Sequence, residues 1–248
     1  MYNLTKYELE LADRLRVLKK QVFTVGEICQ MLSIKKAKAY KIAESLVKKK
    51  YIIKLIRGKY ACNFPFYSAD AFEIASQIVW PSYISFWVML NKYHLTEQVP
   101  YTIAVATTKK MKPIKLRESN IIFVTLKPEL FFGYYAAGSA TIAEKEKAII
   151  DSIHLPRYSG GVNEVFECFC NAWPEINKEK LIKYAVGMNN ASLEKRLGYM
   201  IESGGLKIEE ELLKRLKINN SFSKLDPSLG KSKKYNKKWM LNINAELT

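Results

Sequence analysis

Acidic residues in the middle of the chain are the first that could support chemistry. Glu144, Glu146 and Asp151 fall within one predicted helix. Carboxylates that face one another can bind a divalent metal or share acid and base roles. Glu144 and Glu146 are only two positions apart, however, so they point to different sides of a helix, and lysines are interspersed among them. The pattern favours a surface ion-pair network, or a salt bridge from Asp151 to Arg157 or Arg196, over an enzymatic site.

The other residue types that commonly bind metals or act as nucleophiles are few and scattered. They are Cys29, Cys62, Cys168, Cys170, His94 and His154. Zinc sites usually combine two close cysteine pairs, or one pair with nearby histidines, and neither arrangement occurs. Gly160-Gly161 predicts a turn and lacks the strand-to-helix context of a phosphate-binding loop. The sequence therefore predicts no metal, no cofactor and no enzymatic activity, which weighs against a nuclease or transferase carrying a DNA-targeting domain.

Positive charge is concentrated at the two ends of the chain. The 248 residues carry a net charge of +16. Residues 1–60 hold 15 Lys and Arg against 5 Asp and Glu, residues 221–248 hold 6 against 2, and residues 61–220 hold 19 against 17. A solubility device would spread the charge evenly. Its concentration in one small segment favours a polyanionic partner.

The first sixty residues have the pattern of a winged helix-turn-helix. Apolar spacing predicts a helix over residues 6–20, with Leu9, Leu11, Leu15 and Leu18 on its apolar face. Thr24 and Glu27 have the spacing of a capping box and predict the start of a second helix. A third helix to about residue 50 carries a predicted buried stripe of Ala39, Ile42, Ala43 and Leu46. Two β-rich runs on either side of Gly58 then predict a hairpin, the wing.

This arrangement predicts double-stranded DNA as the partner. The third helix fits the major groove, and the wing reaches the flanking backbone or minor groove. The predicted DNA-binding residues are Lys35, Lys36, Lys38, Tyr40 and Lys41 on or beside the third helix, with Arg57 and Lys59 on the wing. The same pattern would serve a protein-docking module, in which the lysines form only a solvated face. Under the DNA hypothesis, residues 1–62 are expected to bind duplex DNA alone.

The remainder of the chain predicts a larger α+β domain. The boundary is placed at Pro65 and the polar turn near Ser68, which gives domains of 1–64 and 65–248. Expected elements are helices over 70–78, 82–93, 141–154, 162–171, 178–188, 191–203 and 208–217, strands over 100–107 and 120–126, and a short strand or turn near 130–134. Strands followed by gathered helices are typical of an α+β fold. No signal peptide or membrane-spanning run is recognised, so a cytoplasmic location is expected.

The basic tail allows two interpretations. Residues 231–238 are rich in lysine, with Tyr235 and Trp239 interleaved, a composition that can track nucleic acid. An ordered final segment with Trp239 buried and the lysines exposed is favoured. For Lys195 and Arg196, internal pairing and contact with an acidic partner remain equally open.

Six segments in order give the chain a family resemblance. They are residues 80–85 (WPSYIS), 95–100 (LTEQVP), 131–134 (FFGY), 142–151 (IAEKEKAIID), 195–199 (KRLGY) and 235–239 (YNKKW). Together with the winged-helix pattern, they resemble the AbiEi family of antitoxins and transcriptional regulators over almost the whole chain.

The resemblance implies the antitoxin of a type IV toxin–antitoxin, or abortive-infection, pair. Such a protein represses its own promoter at inverted repeats, forms homo-oligomers on DNA, and opposes a nucleotidyltransferase-like toxin as its functional partner. The alternative is an orphan winged-helix regulator whose C-terminal domain mediates protein interaction or oligomerisation without a toxin. The identity of the neighbouring gene distinguishes the two.

Overall fold

Three helices and a small antiparallel sheet form the first part of the chain. The computed structural model describes residues 3–65, 67–68 and 70–247. Its N-terminal elements are α1 (Lys6–Val17), β1 (Val22–Thr24), α2 (Val25–Leu32), α3 (Lys36–Lys48), β2 (Ile52–Ile56), β3 (Lys59–Phe64) and β4 (Tyr67–Ser68). Strand β3 lies between β1 and β2 and is antiparallel to both. This order of three helices and a hairpin is that of a winged helix.

Local sequence determines where these helices begin and end. The predicted capping box is present, with the Thr24 hydroxyl accepting from the Glu27 amide and the Glu27 carboxylate accepting from the Thr24 amide. Ser33 adopts a left-handed conformation that ends α2 and produces the tight turn before α3. Lys50 also has a positive φ of 62°, at the position where the turn into a wing often has glycine.

The N-terminal helices share one apolar core. The predicted stripe of α3 is confirmed, since Ala39, Ile42, Ala43 and Leu46 are all buried. In α1 the prediction was only half correct. Leu11 and Leu15 are buried, whereas Leu9 and Leu18 are 51% and 60% exposed. Helix α1 ends at Val17, and Leu9 lies on its outer side.

Strand β3 has two buried faces because it lies between this core and the rest of the protein. Tyr60, Cys62 and Phe64 point into the N-terminal core. The alternate residue Ala61 joins the core of the C-terminal part, together with Val22 of β1 and Leu55 of β2. A strand alternates its side chains between two faces, so the sheet separates two cores. The wing sheet therefore also forms the interface between the two domains.

The predicted domain boundary after residue 64 falls inside the N-terminal sheet. Strand β4 is antiparallel to β3, with Phe64 opposite Tyr67 and Asn63 opposite Ser68. Tyr67 also packs against the N-terminal core. The N-terminal unit thus extends to Ser68, because the chain turns back at Pro65 to add one more strand.

The C-terminal part is a six-stranded mixed sheet with helices. Its elements are α4 (Ala71–Gln77), β5 (Ser82–Ile84), α5 (Trp87–Lys92), β6 (Thr102–Thr107), β7 (Ile114–Leu116), β8 (Ser119–Thr125), β9 (Tyr134–Ala137), β10 (Ala140–Ala143), α6 (Lys145–His154), α7 (Val162–Ala172), α8 (Lys178–Gly187), α9 (Ala191–Ser203) and α10 (Glu210–Leu213). The strand order is β7-β8-β6-β5-β10-β9. The expected α+β fold is confirmed.

Two predicted helices of this domain prove to contain strands. The predicted helix 82–93 is strand β5 followed by α5, and Trp80-Pro81 is a cis peptide that precedes β5 and not the start of a helix. The predicted helix 141–154 begins as strand β10 and becomes helical only at Lys145. Both strands lie in the interior of the sheet and are largely buried on both faces, so they lack the alternation that marks a half-exposed strand.

The final segment is ordered, as the favoured interpretation predicted. Strands β11 (Ser223–Lys224), β12 (Tyr235–Asn236) and β13 (Leu241–Asn242) form a small sheet. Trp239 is buried against Gly198 of α9, where a Cβ atom would come within 2.0 Å of the indole ring. Lys195 and Arg196 are buried and donate to backbone carbonyls, including Ser221 O and Lys224 O. Internal pairing therefore accounts for both cations. No helix among the described residues has the length and hydropathy needed to cross a membrane.

Candidate nucleic-acid interface

One face of α3 points away from the protein and carries two lysines. Ala37, Lys41, Glu44 and Lys48 are all exposed and follow one another at helical spacing, opposite the buried stripe. We call these four residues the outer face of α3. Of the predicted residues, Lys41 lies on this face, and Lys48 is a cation there that the sequence analysis did not select. Its spacing from Lys41 and Glu44 could have identified it.

A groove runs between α3 and the hairpin of β2 and β3. Its lining includes Tyr40, Glu44 and Lys48 on the helix and Lys54 and Arg57 on the hairpin. Tyr40 and Arg57 were predicted to contact DNA, and the structure brings them to the same groove. Lys54 was not selected, although it is an exposed lysine between the partly buried Ile53 and the buried Leu55 of β2. Cations from both the helix and the hairpin could therefore contact one phosphate backbone.

The hairpin turn is short and held in place. Gly58 has a φ of 74°, and its carbonyl accepts from the Val25 amide at the start of α2, at 2.9 Å. A Cβ atom on Gly58 would lie 3.4 Å from the Tyr40 hydroxyl. Glycine therefore suits this turn for its conformation and for the close approach of α3, and it fixes Arg57 next to the groove.

The first turn of α3 carries positive charge at the end of the helix where cations do not stabilise it. Lys35 is the N-cap, makes no capping hydrogen bond and precedes Lys36, and the first turn has no acidic residue. A helix N-terminus already carries partial positive charge, so each cation there lowers the stability of the helix by about 0.3–1 kcal/mol. A phosphate bound at this end would make the interaction favourable. Lys35 and Lys36 are both exposed, as a DNA contact requires.

The opposite flank of α3 is occupied by α1. The Lys38 ammonium lies 3.5 Å from the centroid of the Tyr7 ring. The Glu8 carboxylate accepts from Ser45 Oγ and Lys49 Nζ, each at 2.7 Å. Burial raises the Glu8 pKa, but these hydrogen bonds and that from the Thr5 amide outweigh it and lower the pKa to about 2. Lys38 therefore lies beside α1 and not on the outer face; its side chain is exposed, and its contact with DNA stays a prediction.

Lys59 does not belong to the exposed wing. Its ammonium donates to the carbonyls of Gln77 and Ile78, at 3.1 and 3.0 Å, at the C-terminal end of α4. Cations are favourable at this end of a helix because the last carbonyls lack intrahelical partners. A second contact nearby joins Gln21 to Glu73 on the same helix. Lys59 thus attaches the N-terminal unit to the C-terminal domain, and these contacts argue against its predicted contact with DNA.

Because Lys59 is bonded within the protein and Arg57 is exposed, we expect different effects from substituting the two predicted wing residues. Lys59→Met should lower the free energy of unfolding by about 1–3 kcal/mol, because charge-assisted bonds to two carbonyls are lost. Arg57→Met should leave stability unchanged and weaken binding to all duplexes. Thermal melts and DNA titrations of both variants measure this contrast. The opposite pattern, with Lys59 affecting only binding, would restore Lys59 to the wing.

The acidic residues considered first form structural contacts. Glu144 and Glu146 both pair with Lys180 of α8, at 3.0 and 3.3 Å, which confirms the predicted ion-pair network. Asp151 is fully buried and pairs with Lys147 one turn earlier, not with Arg157 or Arg196. It also accepts from Tyr83 Oη at 3.1 Å and Ser85 Oγ at 2.7 Å. No group of three metal-binding side chains occurs among the described residues.

The chain combines an N-terminal unit of three helices and a hairpin, in the order typical of a winged helix, with an α+β domain. The RV2827C protein from Mycobacterium tuberculosis has a similar structure, with a TM-score of 0.67, 13% sequence identity, and coverage of 97% of this chain and 92% of that chain. At this identity the likeness concerns the fold alone, and it extends over both domains. No protein-family model matches the chain, and no curated protein matches its sequence.

Proposed function

We propose that this protein is a sequence-specific, double-stranded DNA-binding regulator that reads the major groove with α3. The observation that carries the proposal is the outer face of α3 together with the groove beside it. Lys41, Lys48, Lys54 and Arg57 reach this surface from two elements, and all four are exposed. None of these four makes an ion pair with another described residue. Their charge is thus available to a polyanion.

The structure also bears on the docking-module alternative. Docking modules bury an apolar patch, whereas the outer face of α3 has Ala37 as its apolar member. The apolar residues of the groove, Val47, Leu55 and Ile56, are buried or only partly exposed. The apolar side of the wing sheet, which could have served a partner protein, is already covered by the C-terminal domain. Duplex DNA is therefore the better match to the exposed surface.

On the resemblance to AbiEi proteins, we further propose a role as the autorepressor and antitoxin of a type IV pair. In that role the protein binds inverted repeats in its own promoter and opposes a nucleotidyltransferase-like toxin. Two copies on paired half-sites would gain avidity, because the second binding event becomes effectively intramolecular. Co-expression with the product of the neighbouring gene separates this role from that of an orphan regulator.

The test of DNA reading compares α3 with the hairpin. The probe is a duplex from the protein's own promoter, which we call the upstream duplex. Lys41→Ala is expected to lower affinity for it by about 1–3 kcal/mol, roughly 5- to 150-fold, with a smaller loss on a scrambled duplex. Arg57→Ala should weaken both duplexes by similar factors, because a backbone contact carries no sequence information. Fluorescence anisotropy at fixed salt measures both ratios.

A lysine elsewhere on the protein provides the control. Lys183→Ala removes an exposed cation from α8 and is expected to change neither affinity. Equal losses on both duplexes for Lys41→Ala and Arg57→Ala would mean that α3 does not read sequence. No salt-dependent binding by the unaltered protein would refute the proposed function itself.

A further inference from the structure

A second basic segment lies in the C-terminal domain. Residues 109–117, which we call the basic loop, contain Lys109, Lys110, Lys112, Lys115 and Arg117 and no acidic residue. All five cations are exposed. None of the four lysines forms an ion pair with another described residue. The segment follows β6, contains β7 and ends in the turn before β8.

One end of the basic loop contacts the base of the winged-helix hairpin. Arg117 Nη2 donates to Asn63 Oδ1 of β3, at 2.8 Å. Asn63 Nδ2 in turn donates to the carbonyl of Lys50, also at 2.8 Å, just beyond the end of α3. Arg117 is therefore one residue removed from the segment that links α3 to β2.

The other end lies near the hairpin turn. The Lys109 amide donates to Thr107 Oγ1 at 3.3 Å, and that hydroxyl donates to the Pro81 carbonyl at 2.7 Å. Three residues before Pro81, the Ile78 carbonyl accepts from Lys59. Burial lowers the pKa of Lys59, Glu27 raises it, and the charge of Lys109 lowers it further, as expected for neighbouring ammonium groups. The basic loop thus extends alongside the wing sheet from its turn to its base.

Like charges gathered on one surface repel one another and contribute nothing to folding. The domain as a whole is nearly neutral, with 19 cations and 17 acids over residues 61–220, so the clustering is local. Because the sheet holds the two domains together, the loop keeps a fixed position relative to α3. A local cluster of exposed cations that is held in place relative to α3 is suited to contact a second stretch of the DNA that α3 binds.

We propose that the basic loop is a second phosphate-binding surface, which contacts the DNA backbone beside the segment read by α3. This inference rests on the proposed function and extends it to the C-terminal domain. Each phosphate neutralised by the loop would release condensed counterions and add about 0.9 to the slope of log affinity against log salt. These contacts would raise affinity for every duplex equally.

The experiment uses the full chain with Lys109→Gln, Lys110→Gln and Lys112→Gln combined. The salt slope is expected to decrease by up to about 2.7, with equal loss of affinity on the upstream and scrambled duplexes. The control combines Lys183→Gln, Lys207→Gln and Lys217→Gln, which remove the same charge from exposed positions on or beside α8 and α10. The control should retain the slope of the unaltered protein.

The outcomes separate the two proposals. If the unaltered protein binds DNA and the two triple variants have the same slope, the basic loop makes no phosphate contact and this inference is wrong, while the proposed function stands. If the loop variant loses affinity only for the upstream duplex, the loop reads sequence and the backbone role is wrong. If the unaltered protein does not bind duplex DNA, the proposed function fails first.

Discussion

A fragment of residues 1–62 is expected to lack a cooperative thermal transition, whereas a fragment of residues 1–70 has one. The shorter fragment ends inside β3, which runs to Phe64. It lacks Phe64, which is 1% exposed in the N-terminal core, and Tyr67 of β4, which packs against the same core. Loss of a buried phenylalanine side chain alone costs about 3–5 kcal/mol.

The consequence is large because the unit is small. A domain of about sixty residues buries only about 60% of its unfolded surface and is marginally stable. A loss of this size removes most of the stability such a domain has. Binding of DNA by residues 1–62, the expectation from sequence, would then depend on whether DNA can refold the fragment. Residues 1–70 are the appropriate fragment for that test.

Circular dichroism melts of both fragments measure this difference. Both expose the same apolar side of the wing sheet, with Val22, Leu55 and Ala61, so the comparison isolates β4 and the end of β3. Equal midpoints would contradict the role assigned to Phe64 and Tyr67. Absence of folding in both would show that the C-terminal domain, and not β4, supplies the missing stability.

Asp151→Ala is expected to destabilise the full chain by about 3–5 kcal/mol, because it leaves the Lys147 ammonium buried without its counter-charge. Both side chains of this pair are 0% exposed. Among the described residues, Lys147 would then retain the Met188 sulfur, at 3.6 Å, and the faces of the Phe132 and Tyr83 rings, 4.9 and 5.6 Å from their centroids. Tyr83 and Ser85 would also lose their common acceptor. For a chain of this length the melting temperature should fall by about 6–20 °C.

An exposed pair of the same spacing is a matched control. Glu10 and Arg14 of α1 form a salt bridge of 2.8 Å at i,i+4, with side chains 37% and 50% exposed. Glu10→Ala should cost about 0–1 kcal/mol, because water screens the pair and solvates the remaining charge. Equal effects of the two substitutions would show that Lys147 finds another partner or sheds its proton.

A third variant separates charge from packing. The double change Lys147→Met and Asp151→Leu removes both charges while keeping apolar bulk, and it should recover much of the loss seen in Asp151→Ala. DNA affinity of each folded variant should match that of the unaltered protein, since the pair lies in the C-terminal core and away from α3. A specific loss of DNA binding at full stability would indicate a role beyond structure.

Features set by neighbouring residues were predictable from the sequence. The capping box of Thr24 and Glu27 and the buried stripe of α3 depend on spacings of three or four residues, and both are present. The clustering of charge in residues 1–60 is likewise a property of composition. Such signals require only that a helix forms, so tertiary contacts do not alter them.

Strands β5 and β10 were not predictable in this way. Ser82, Tyr83 and Ile84 are all buried, and so are Ile142 and Ala143. A strand covered on both faces carries no period-two pattern, and in a single sequence it resembles the start of a buried helix. Only pairing with β6, with β9 and with each other makes these segments strands.

The placement of the cations was decided by the tertiary structure. By sequence Lys59 and Arg57 are equivalent wing residues, yet Lys59 reaches carbonyls 18 and 19 positions away, and Arg57 remains exposed. The average composition of the C-terminal domain is nearly neutral and does not reveal the basic loop. The contact between Arg117 and Asn63 places this loop beside the winged helix. Composition and spacing determine which charges and helices the chain has. Which charges face solvent together depends on contacts between residues far apart in sequence, and these form only when the two cores pack on opposite sides of the wing sheet.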